Sequence, residues 1–208
     1  GPDYEPRRPE QTVLYQVVAK NYRTLEAIAD SEGNVAVSTQ TINGWFGSGV
    51  VVEGTGLVLN NEMDDFAIKP GTANQFGLVQ GENNAIKPGK RMLSSMSPTI
   101  VLSKEGKVFL VLGAAGGPTI ISSTFQNLSN VIDFDMTLAD SVGAPRIHLQ
   151  DYPDEIRYER DGFSLALLND LQEMGYKLKE VGHLADAPGL AVTSKGVEAC
   201  AEPRLSHA

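Results

Sequence analysis

The sequence predicts an α+β fold in which a layered antiparallel sheet is covered by helices on its outer faces. Short apolar strand-like segments form two runs, one before and one after residues 120–143. Between the runs, apolar residues at 120, 121, 125, 128, 131 and 132 follow the spacing of a helix. Strands and helices arranged in this order can bury their apolar faces only by packing as layers.

Residues 1–26 differ from the rest of the chain. Residues 1–10 carry three Pro among charged residues, which disfavours helix and strand alike. Apolar residues at 13, 14, 17, 18 and 22 predict a short helix over residues 12–25. We therefore interpret residues 1–26 as a fused leader, partly disordered, and residues 27–208 as the folded domain.

The first run of strands starts at residue 27. Residues 27–38 are predicted to form two strands around a turn, because Asp30 and Gly33-Asn34 supply turn chemistry. Further strands are predicted at residues 49–52, 56–59, 99–102 and 108–112, the last two as a hairpin. The Asn- and Gly-rich residues 70–88 are predicted to form a structureless loop, and such loops are often active-site lids.

The second half of the chain begins with helices. The first is predicted over residues 120–132 and a shorter one over 137–143. A strand at 156–159 is followed by an amphipathic helix over 164–174, which Gly175 ends. Strands at 176–181 and 189–194 complete the second run.

Composition limits the function classes. The chain has 208 residues, enough for one domain, and a net charge of −9, which argues against nonspecific nucleic-acid binding. A single cysteine, Cys200, rules out an intrachain disulfide framework and a Cys-based zinc site. Three His, at 148, 183 and 207, lack metal-ligand spacing and are interpreted as surface residues. We expect no metal and no cofactor.

Membrane and targeting signals are also missing from the sequence. There is no apolar run of about 18 residues, so no membrane-spanning helix is predicted. Residues 1–10 are polar and cannot be the apolar segment of a signal peptide. If it is translated as it stands, the chain is expected in the cytoplasm.

Two polar runs predict a site for a zwitterion. The first is Asn-Asn-Glu-Met-Asp-Asp at residues 60–65, and the second is Ser-Ser-Met-Ser at residues 94–97. Carboxylates can hold an ammonium group, and hydroxyls can donate to a carboxylate. A third feature, Gly116-Gly117, lies between an apolar strand and a helix, where glycines free backbone N–H groups to face an anion. Each feature alone is also compatible with an ordinary polar turn.

Together these runs resemble the small catalytic subunit of the gamma-glutamyltranspeptidases over residues 30–204. The motifs that carry the resemblance are Gly33-Asn34, Thr41-Ile42-Asn43, Phe46-Gly47-Ser48-Gly49, residues 60–66, Lys69-Pro70-Gly71, residues 94–98, residues 113–117, Ala144-Pro145-Arg146 and Ala201-Glu202-Pro203-Arg204. The resemblance implies the four-layer sandwich of N-terminal-nucleophile hydrolases, incomplete here without a large subunit. It also implies transfer or hydrolysis of the gamma-glutamyl group of glutathione and related amides.

The resemblance assigns binding roles to five residues. Glu62 and Asp65 would hold the α-ammonium of the gamma-glutamyl group, with Asn43 beside them. Ser94 and Ser95 would donate to its α-carboxylate, a task that the family shares with an Arg of the large subunit. Trp45 is predicted to pack beside this pocket, and Arg146 to be a structural ion-pair partner.

The resemblance also assigns catalytic positions. Gly116 and Gly117 would be the oxyanion donors, and Thr41 would match the second Thr that assists the nucleophile. The family's small subunit starts Thr-Thr-His, and counting back from Asp30 and Gly33-Asn34 places the first Thr on Arg23. Thr24 could serve only with a shifted register and a cut after residue 23. We therefore expect this chain to lack its nucleophile.

Residues 4–18 resemble the leader of certain insertion-sequence transposases, which indicates a fused fragment. Three interpretations remain open on the sequence alone. The chain is a gamma-glutamyltransferase that still works, alone or with a large subunit, or a non-catalytic remnant that keeps the glutamate pocket, or an unstable product of a gene fusion. Its expected partners are a small gamma-glutamyl substrate and a separate large subunit, with no nucleic acid and no membrane.

Overall fold

The computed structural model describes the backbone of residues 15–20 and 23–205. The strands are β1 (Tyr15–Lys20), β2 (Arg23–Ala29), β3 (Val35–Thr41), β4 (Val51–Val52), β5 (Leu57–Val58), β6 (Thr99–Leu102), β7 (Val108–Leu112), β8 (Ile147–His148), β9 (Ile156–Glu159), β10 (Leu178–Val181), β11 (Gly189–Thr193) and β12 (Gly196–Cys200). The helices are α1 (Thr119–Ile132), α2 (Leu138–Gly143) and α3 (Leu165–Glu173), with short 3₁₀ turns at Glu62–Asp65, Glu82–Asn84 and Pro203–Leu205.

The strands form two main antiparallel sheets and two smaller ones. The first sheet has the order β1-β2-β3, and the second has the order β12-β11-β7-β6. Strands β4 and β5 pair as a short hairpin. The remaining sheet, β10-β9-β8, contains one parallel pair, β9 with β10, because α3 carries the chain back between these two strands.

The two main sheets stack face to face. Ala27 and Ala29 of β2 pack with Val111 of β7 and Leu190 of β11 in a buried cluster. Because side chains alternate along a strand, the neighbouring Leu110 and Leu112 point to the other side of the second sheet. There they pack against Leu138 and Val142 of α2, with part of α1 alongside.

The described residues thus form three successive layers: helices, a four-stranded sheet and a three-stranded sheet. The α+β class, the antiparallel sheets and the helices outside them are as predicted. The outer face of the three-stranded sheet carries no further layer among the described residues, and Ala36, Ser38 and Gln40 of β3 are exposed there. The chain therefore forms only part of a four-layer sandwich.

The predicted helix over residues 12–25 is wrong where the structure describes it. Tyr15–Lys20 and Arg23–Ala29 are strands that pair with each other, and β2 also pairs with β3. The predicted disorder of residues 1–10 lies outside the described residues. The boundary proposed at residue 26 stays a prediction, and β2 runs across it.

The predicted loop at 70–88 is not structureless. Two isolated bridges, Ala67 with Ala85 and Ala73 with Val79, hold it in place. The side-chain oxygen of Asn74 also accepts hydrogen bonds from the backbone N–H groups of Phe76 and Leu78, both at 3.0 Å. The loop is therefore an ordered segment that is held largely by hydrogen bonds to its own polar side chains.

A buried ion cluster fixes the C-terminal part of the chain. Arg146 is 1% exposed and pairs with Glu202 at 3.0 Å. Arg204 pairs with the same Glu202 and with Glu159, both at 2.7 Å. The guanidinium groups also donate to backbone carbonyls, including that of Val142 from both arginines. The structural role predicted for Arg146 is confirmed.

His148 is not the surface residue that the sequence suggested. It is 5% exposed, its Nδ1 lies 2.8 Å from the Ser122 hydroxyl, and its Nε2 lies 2.8 Å from Oε1 of Gln150. The amide of Gln150 donates to the carbonyl of Tyr152, so its Oε1 accepts from an Nε2–H. His148 is therefore a core histidine with a polar partner at each ring nitrogen, Ser122 at Nδ1 and Gln150 at Nε2.

The burial of His148 gives an expected pH dependence. Burial lowers the pKa of His148 below its ordinary value of 6.5, and nearby Arg157 lowers it further, although the bond to Gln150 opposes both effects. The unfolded chain then binds a proton more readily, so the free energy of unfolding should fall as pH drops below 6.5. One proton limits this slope to about 1.4 kcal/mol per pH unit.

Urea unfolding at pH 7.5 and 5.5 checks this expectation. His148→Gln should remove most of the loss between the two pH values. His183→Gln is the matched control, because the side chain of His183 is exposed at the surface. An equal loss of unfolding free energy between the two pH values in the unaltered chain and in both variants would show that His148 is not the source of the pH dependence.

Candidate functional site

Six of the nine predicted site residues line one cavity. They are Thr41, Asn43, Glu62, Asp65, Ser94 and Ser95. These residues come from three segments that are distant in sequence, so their meeting depends on the fold. The two polar runs thus line one physical cavity, and the zwitterion as its ligand stays a prediction.

The end of β3 and the acidic run are tied together on one side of this cavity. Asn43 is fully buried with a left-handed backbone, φ 70°, and its backbone N–H donates to the Thr41 hydroxyl at 2.8 Å. Its side-chain amide donates to the carbonyl of Asn61 at 3.2 Å. This connection sets where Glu62–Asp65 begins relative to Thr41.

The ordered loop is fastened to the acidic run. The carboxylate of Asp64 accepts from the backbone N–H of Gln75 at 3.1 Å, and the side-chain amide of Asn84 donates to the carbonyl of Asp65 at 2.7 Å. As a result, Phe76, Leu78 and Gln80 of the loop join the cavity wall. The loop encloses the two carboxylates that face the cavity.

The two serines that line the cavity differ in their hydrogen bonds. The Ser95 hydroxyl donates to the carbonyl of Gly117 at 2.9 Å, so its proton is already used. The Ser94 oxygen accepts from the backbone N–H of Met96 at 3.3 Å, which leaves its hydroxyl proton to a ligand. In this arrangement the Ser94 hydroxyl is able to donate to a carboxylate, and Ser95 connects the serine run to the glycine pair.

Gly116 and Gly117 lie where β7 leads into α1. A Cβ on Gly116 would come within 2.8 Å of the Cα of Ala185, so only glycine fits there. Gly117 has a left-handed φ of 62°. The carbonyls of both glycines accept bonds from the first turn of α1, which leaves their N–H groups on the side away from the helix. Gly116 lines a second cleft beside the cavity, and Pro118 lines both.

Strand register locates the position expected for the nucleophile. In the β2–β3 pair, Arg23 lies directly opposite Thr41, and Thr24 lies opposite Gln40. Directly opposed residues share a face of the sheet, so position 23 belongs with Thr41 and position 24 with the exposed Gln40. The backbone thus places Arg23, and not Thr24, next to Thr41.

Sequence reasoning missed several residues that line the cavity and misplaced one. The missed residues are Phe76, Leu78, Gln80, Leu93, Met96 and Pro118. Leu93, Met96 and Pro118 adjoin predicted site residues, and that adjacency was the one available signal. Trp45 is wrong as a pocket residue, because it is 67% exposed and does not line the cavity.

The cavity is lined by ionic and hydrogen-bonding side chains. Among residues 15–20 and 23–205, no group of three or more His, Cys, Asp or Glu side chains could hold a metal ion. In the same part of the chain, no helix has the length and apolar character needed to cross a membrane. The cavity lining contains the two carboxylates of Glu62 and Asp65 and the hydroxyl of Ser94.

Comparisons with known proteins agree with this arrangement. A family model described as gamma-glutamyltranspeptidase matches residues 10–208. The glutathione hydrolase proenzyme of Pseudomonas aeruginosa is 47% identical over 181 residues, which are 86% of this chain and 32% of that protein. The corresponding proenzyme of Escherichia coli K12 is 45% identical over 171 residues, 82% of this chain and 29% of that protein.

A solved structure shows the same fold at high similarity. The T380A mutant of Helicobacter pylori gamma-glutamyltranspeptidase matches with a TM-score of 0.82 and 44% identity, over 86% of this chain and 98% of that one. The present chain spans about a third of the length of the proenzymes it matches. By sequence and by fold, the chain belongs to the gamma-glutamyltranspeptidase family, with the sheet and helix layers of an N-terminal-nucleophile hydrolase.

Proposed function

We propose that this chain binds the gamma-glutamyl group of glutathione and related amides, and that it does not transfer that group as it stands. The observation that carries the proposal is that Glu62, Asp65 and Ser94 line one cavity. Relatives that are named glutathione hydrolase support the substrate class.

These lining residues match the two ends of an amino acid. An α-ammonium between Glu62 and Asp65 would make charge-assisted hydrogen bonds, each worth about 1.5–3 kcal/mol. The Ser94 hydroxyl would donate to the α-carboxylate. The gamma-carbonyl would then extend toward the N–H groups of Gly116 and Gly117, which are suited to stabilise a developing oxyanion.

The missing element is the attacking group. The family nucleophile is an N-terminal Thr whose free amine serves as base. Arg23 stands opposite Thr41 in the position where the resemblance places that Thr, and its own nitrogen is acylated by residue 22. Thr24 is out of register with Thr41, and its amine is likewise part of a peptide bond. Binding without turnover follows from this arrangement.

A large subunit is the expected partner. The three layers of the chain leave one sheet face uncovered among the described residues, and the hairpin of β4 and β5 exposes Val51, Leu57 and Val58. Burial of such apolar surface drives association. We further propose that the transposase-like residues 4–18 are a fused leader, and that the glutamate pocket survived the fusion.

Titration with glutathione by NMR tests the binding proposal. Asp65→Asn should weaken the apparent affinity by about 10-fold or more, because it removes a charge-assisted bond to the ammonium. Glu82→Gln is the matched control, since Glu82 lies exposed in the ordered loop and outside the cavity wall. It removes the same unit of charge and should leave the affinity unchanged.

Two outcomes would contradict the proposal. One is the absence of any shift in resonances from the cavity residues on adding glutathione. The other is equal weakening by Asp65→Asn and Glu82→Gln, which would indicate a general charge effect instead of a specific contact.

A further inference from the structure

The side chain of Asn84 lies between the two polar runs that line the cavity. Asn84 ends the 3₁₀ turn Glu82–Asn84 and is half-buried. Its amide nitrogen donates to the carbonyl of Asp65 at 2.7 Å, and its amide oxygen accepts from the backbone N–H of Leu93 at 3.0 Å. Asp65 ends the acidic run, and Leu93 directly precedes Ser94. One planar amide therefore joins the end of the first run to the start of the second.

We propose that Asn84 sets the separation between the ammonium-binding and the carboxylate-binding parts of the cavity, and that it thereby selects ligands that carry both groups on one carbon atom. This inference rests on the proposed function, in which Asp65 and Ser94 contact those two groups. Asn84 is not among the described residues that line the cavity. It is a positioning residue that acts through the backbone of Asp65 and Leu93.

The covalent chain does not set this separation, because the two runs are far apart in sequence. Residues 66–92 lie between them, and the ends of a segment of that length are free to lie at many distances from each other. Tertiary hydrogen bonds must therefore fix the distance. The Asn84 amide bonds to the residue on either side of this segment, Asp65 and Leu93, and so holds the two runs at one spacing.

The chemistry of position 84 calls for an amide. Besides Asp65, the Asn84 nitrogen donates to the side-chain oxygen of Gln80, which itself lines the cavity. The orientation of the amide follows from its partners, since carbonyl oxygens must face its nitrogen and an N–H must face its oxygen. An aspartate would lack the donors, and a leucine would lack both the donors and the acceptor.

The turn that carries Asn84 is itself fixed. The backbone carbonyl of Asn84 accepts from the N–H of Ala67 at 3.0 Å, and Ala67 forms a β-bridge with Ala85. The ammonium of Lys90 donates to the carbonyl of Ala85 at 3.1 Å and also to that of Asn83. The amide therefore projects from a held backbone, and the spacing that it sets exists before a ligand arrives.

The spacing matters because an α-amino acid offers its ammonium and its carboxylate on the same carbon. One additional methylene between them moves one group by about 1.5 Å relative to the other. Donor–acceptor distances in protein hydrogen bonds vary by only about 0.5 Å, so such a shift breaks a bond at one end. The cavity should therefore discriminate against a β-amino acid head group.

NMR titration with two ligands tests the inference. The first ligand is gamma-glutamyl methylamide, and the second is its β-amino homologue, with one methylene between the ammonium-bearing carbon and the carboxylate. The unaltered chain should bind the homologue about 10-fold more weakly. Asn84→Leu should weaken binding of the methylamide by about 10-fold and change binding of the homologue by less than about 2-fold, because the fixed spacing is lost.

Two further variants separate this role from a general effect on folding. Asn83→Leu is the matched control, because Asn83 lies in the same turn with an exposed side chain, and it should change neither affinity. Asn84→Asp keeps the acceptor for the N–H of Leu93 and removes the donor to Asp65. It should reduce the ratio of the two affinities as Asn84→Leu does, and it carries the test if the leucine variant does not fold.

The outcomes distinguish this inference from the function on which it rests. Equal binding of the two ligands by the unaltered chain, or an unchanged ratio of the two affinities in the Asn84 variants, would overturn the role of Asn84 alone. Absence of methylamide binding by the unaltered chain would overturn the proposed function and the role of Asn84 with it.

Discussion

Glu202→Gln is expected to lower the free energy of unfolding by about 3–5 kcal/mol, the largest effect on stability among single changes outside the cavity. The Glu202 side chain is fully buried and contacts Arg146 at 3.0 Å and Arg204 at 2.7 Å. Burial alone would raise the pKa of Glu202, but the two arginines and the backbone N–H of Ala187 lower it below its ordinary value. Removing this charge leaves two guanidinium groups buried with one remaining carboxylate.

Chemical and thermal unfolding measure this loss. For a domain of this size the expected decrease in Tm is about 6–20 °C. Glu180→Gln is the matched control, because Glu180 pairs with Arg160 at 2.8 Å on the surface, where such pairs contribute about 0–1 kcal/mol. Similar losses of unfolding free energy in the two variants would show that the buried cluster stabilises the fold no more than a surface ion pair does.

The same variant should also disturb the glycine pair. Arg146 donates to the carbonyls of Leu184 and Ala185 at 3.1 and 3.0 Å, and Asp186 exchanges two backbone bonds with Ala115. The buried cluster therefore holds the segment against which Gly116 packs. Loss of Glu202 is expected to weaken the positioning of Gly116 as well as the fold.

The second large effect is expected from Arg23→Thr in a chain whose first residue is position 23. This change places a Thr with a free amine opposite Thr41, which is the arrangement that the resemblance implies for the nucleophile. With a family large subunit supplied, we expect the rate of chromogenic product release from a gamma-glutamyl anilide to exceed that of the unaltered chain by on the order of 10³-fold or more. Leu25 should be kept, because it is fully buried and packs against Gly113.

The control for this prediction is the same shortened chain with Arg23→Ala. It has the free amine but no hydroxyl, so it should stay inactive. If the Ala variant were as active as the Thr variant, position 23 would not supply the nucleophile. If neither variant were active with a folded partner present, the missing element would have to lie elsewhere in the site.

Much of the fold could be predicted because its strongest patterns are local. The helical spacing over 120–132 and the hairpin around residues 103–107 both appear in the structure. Residues 12–25 misled the prediction because apolar residues at 13, 14, 17 and 18 fit a helix. Strand pairing of β1 with β2 overrides that spacing, and such tertiary pairing cannot be read from a short window.

The polar runs identified the cavity, but its complete wall could not be predicted. The runs are contiguous in sequence, so Glu62, Asp65 and Ser94 were found directly. Phe76 and Leu78 reach the cavity only because Asn74 and Asp64 bond to the loop backbone. His148 was misjudged for a related reason: its partners Ser122 and Gln150 are supplied by tertiary packing.

The central claim is that a gamma-glutamyl pocket persists in a chain whose nucleophile position holds Arg23. Its most direct test is the release of chromogenic product from a gamma-glutamyl anilide by the unaltered chain, assayed with and without a family large subunit, beside a Thr24→Ala variant. We predict no release above background from either protein, while glutathione still shifts resonances of the cavity residues. Robust release by the unaltered chain that is insensitive to Thr24→Ala would contradict the assignment of Arg23 to the nucleophile position.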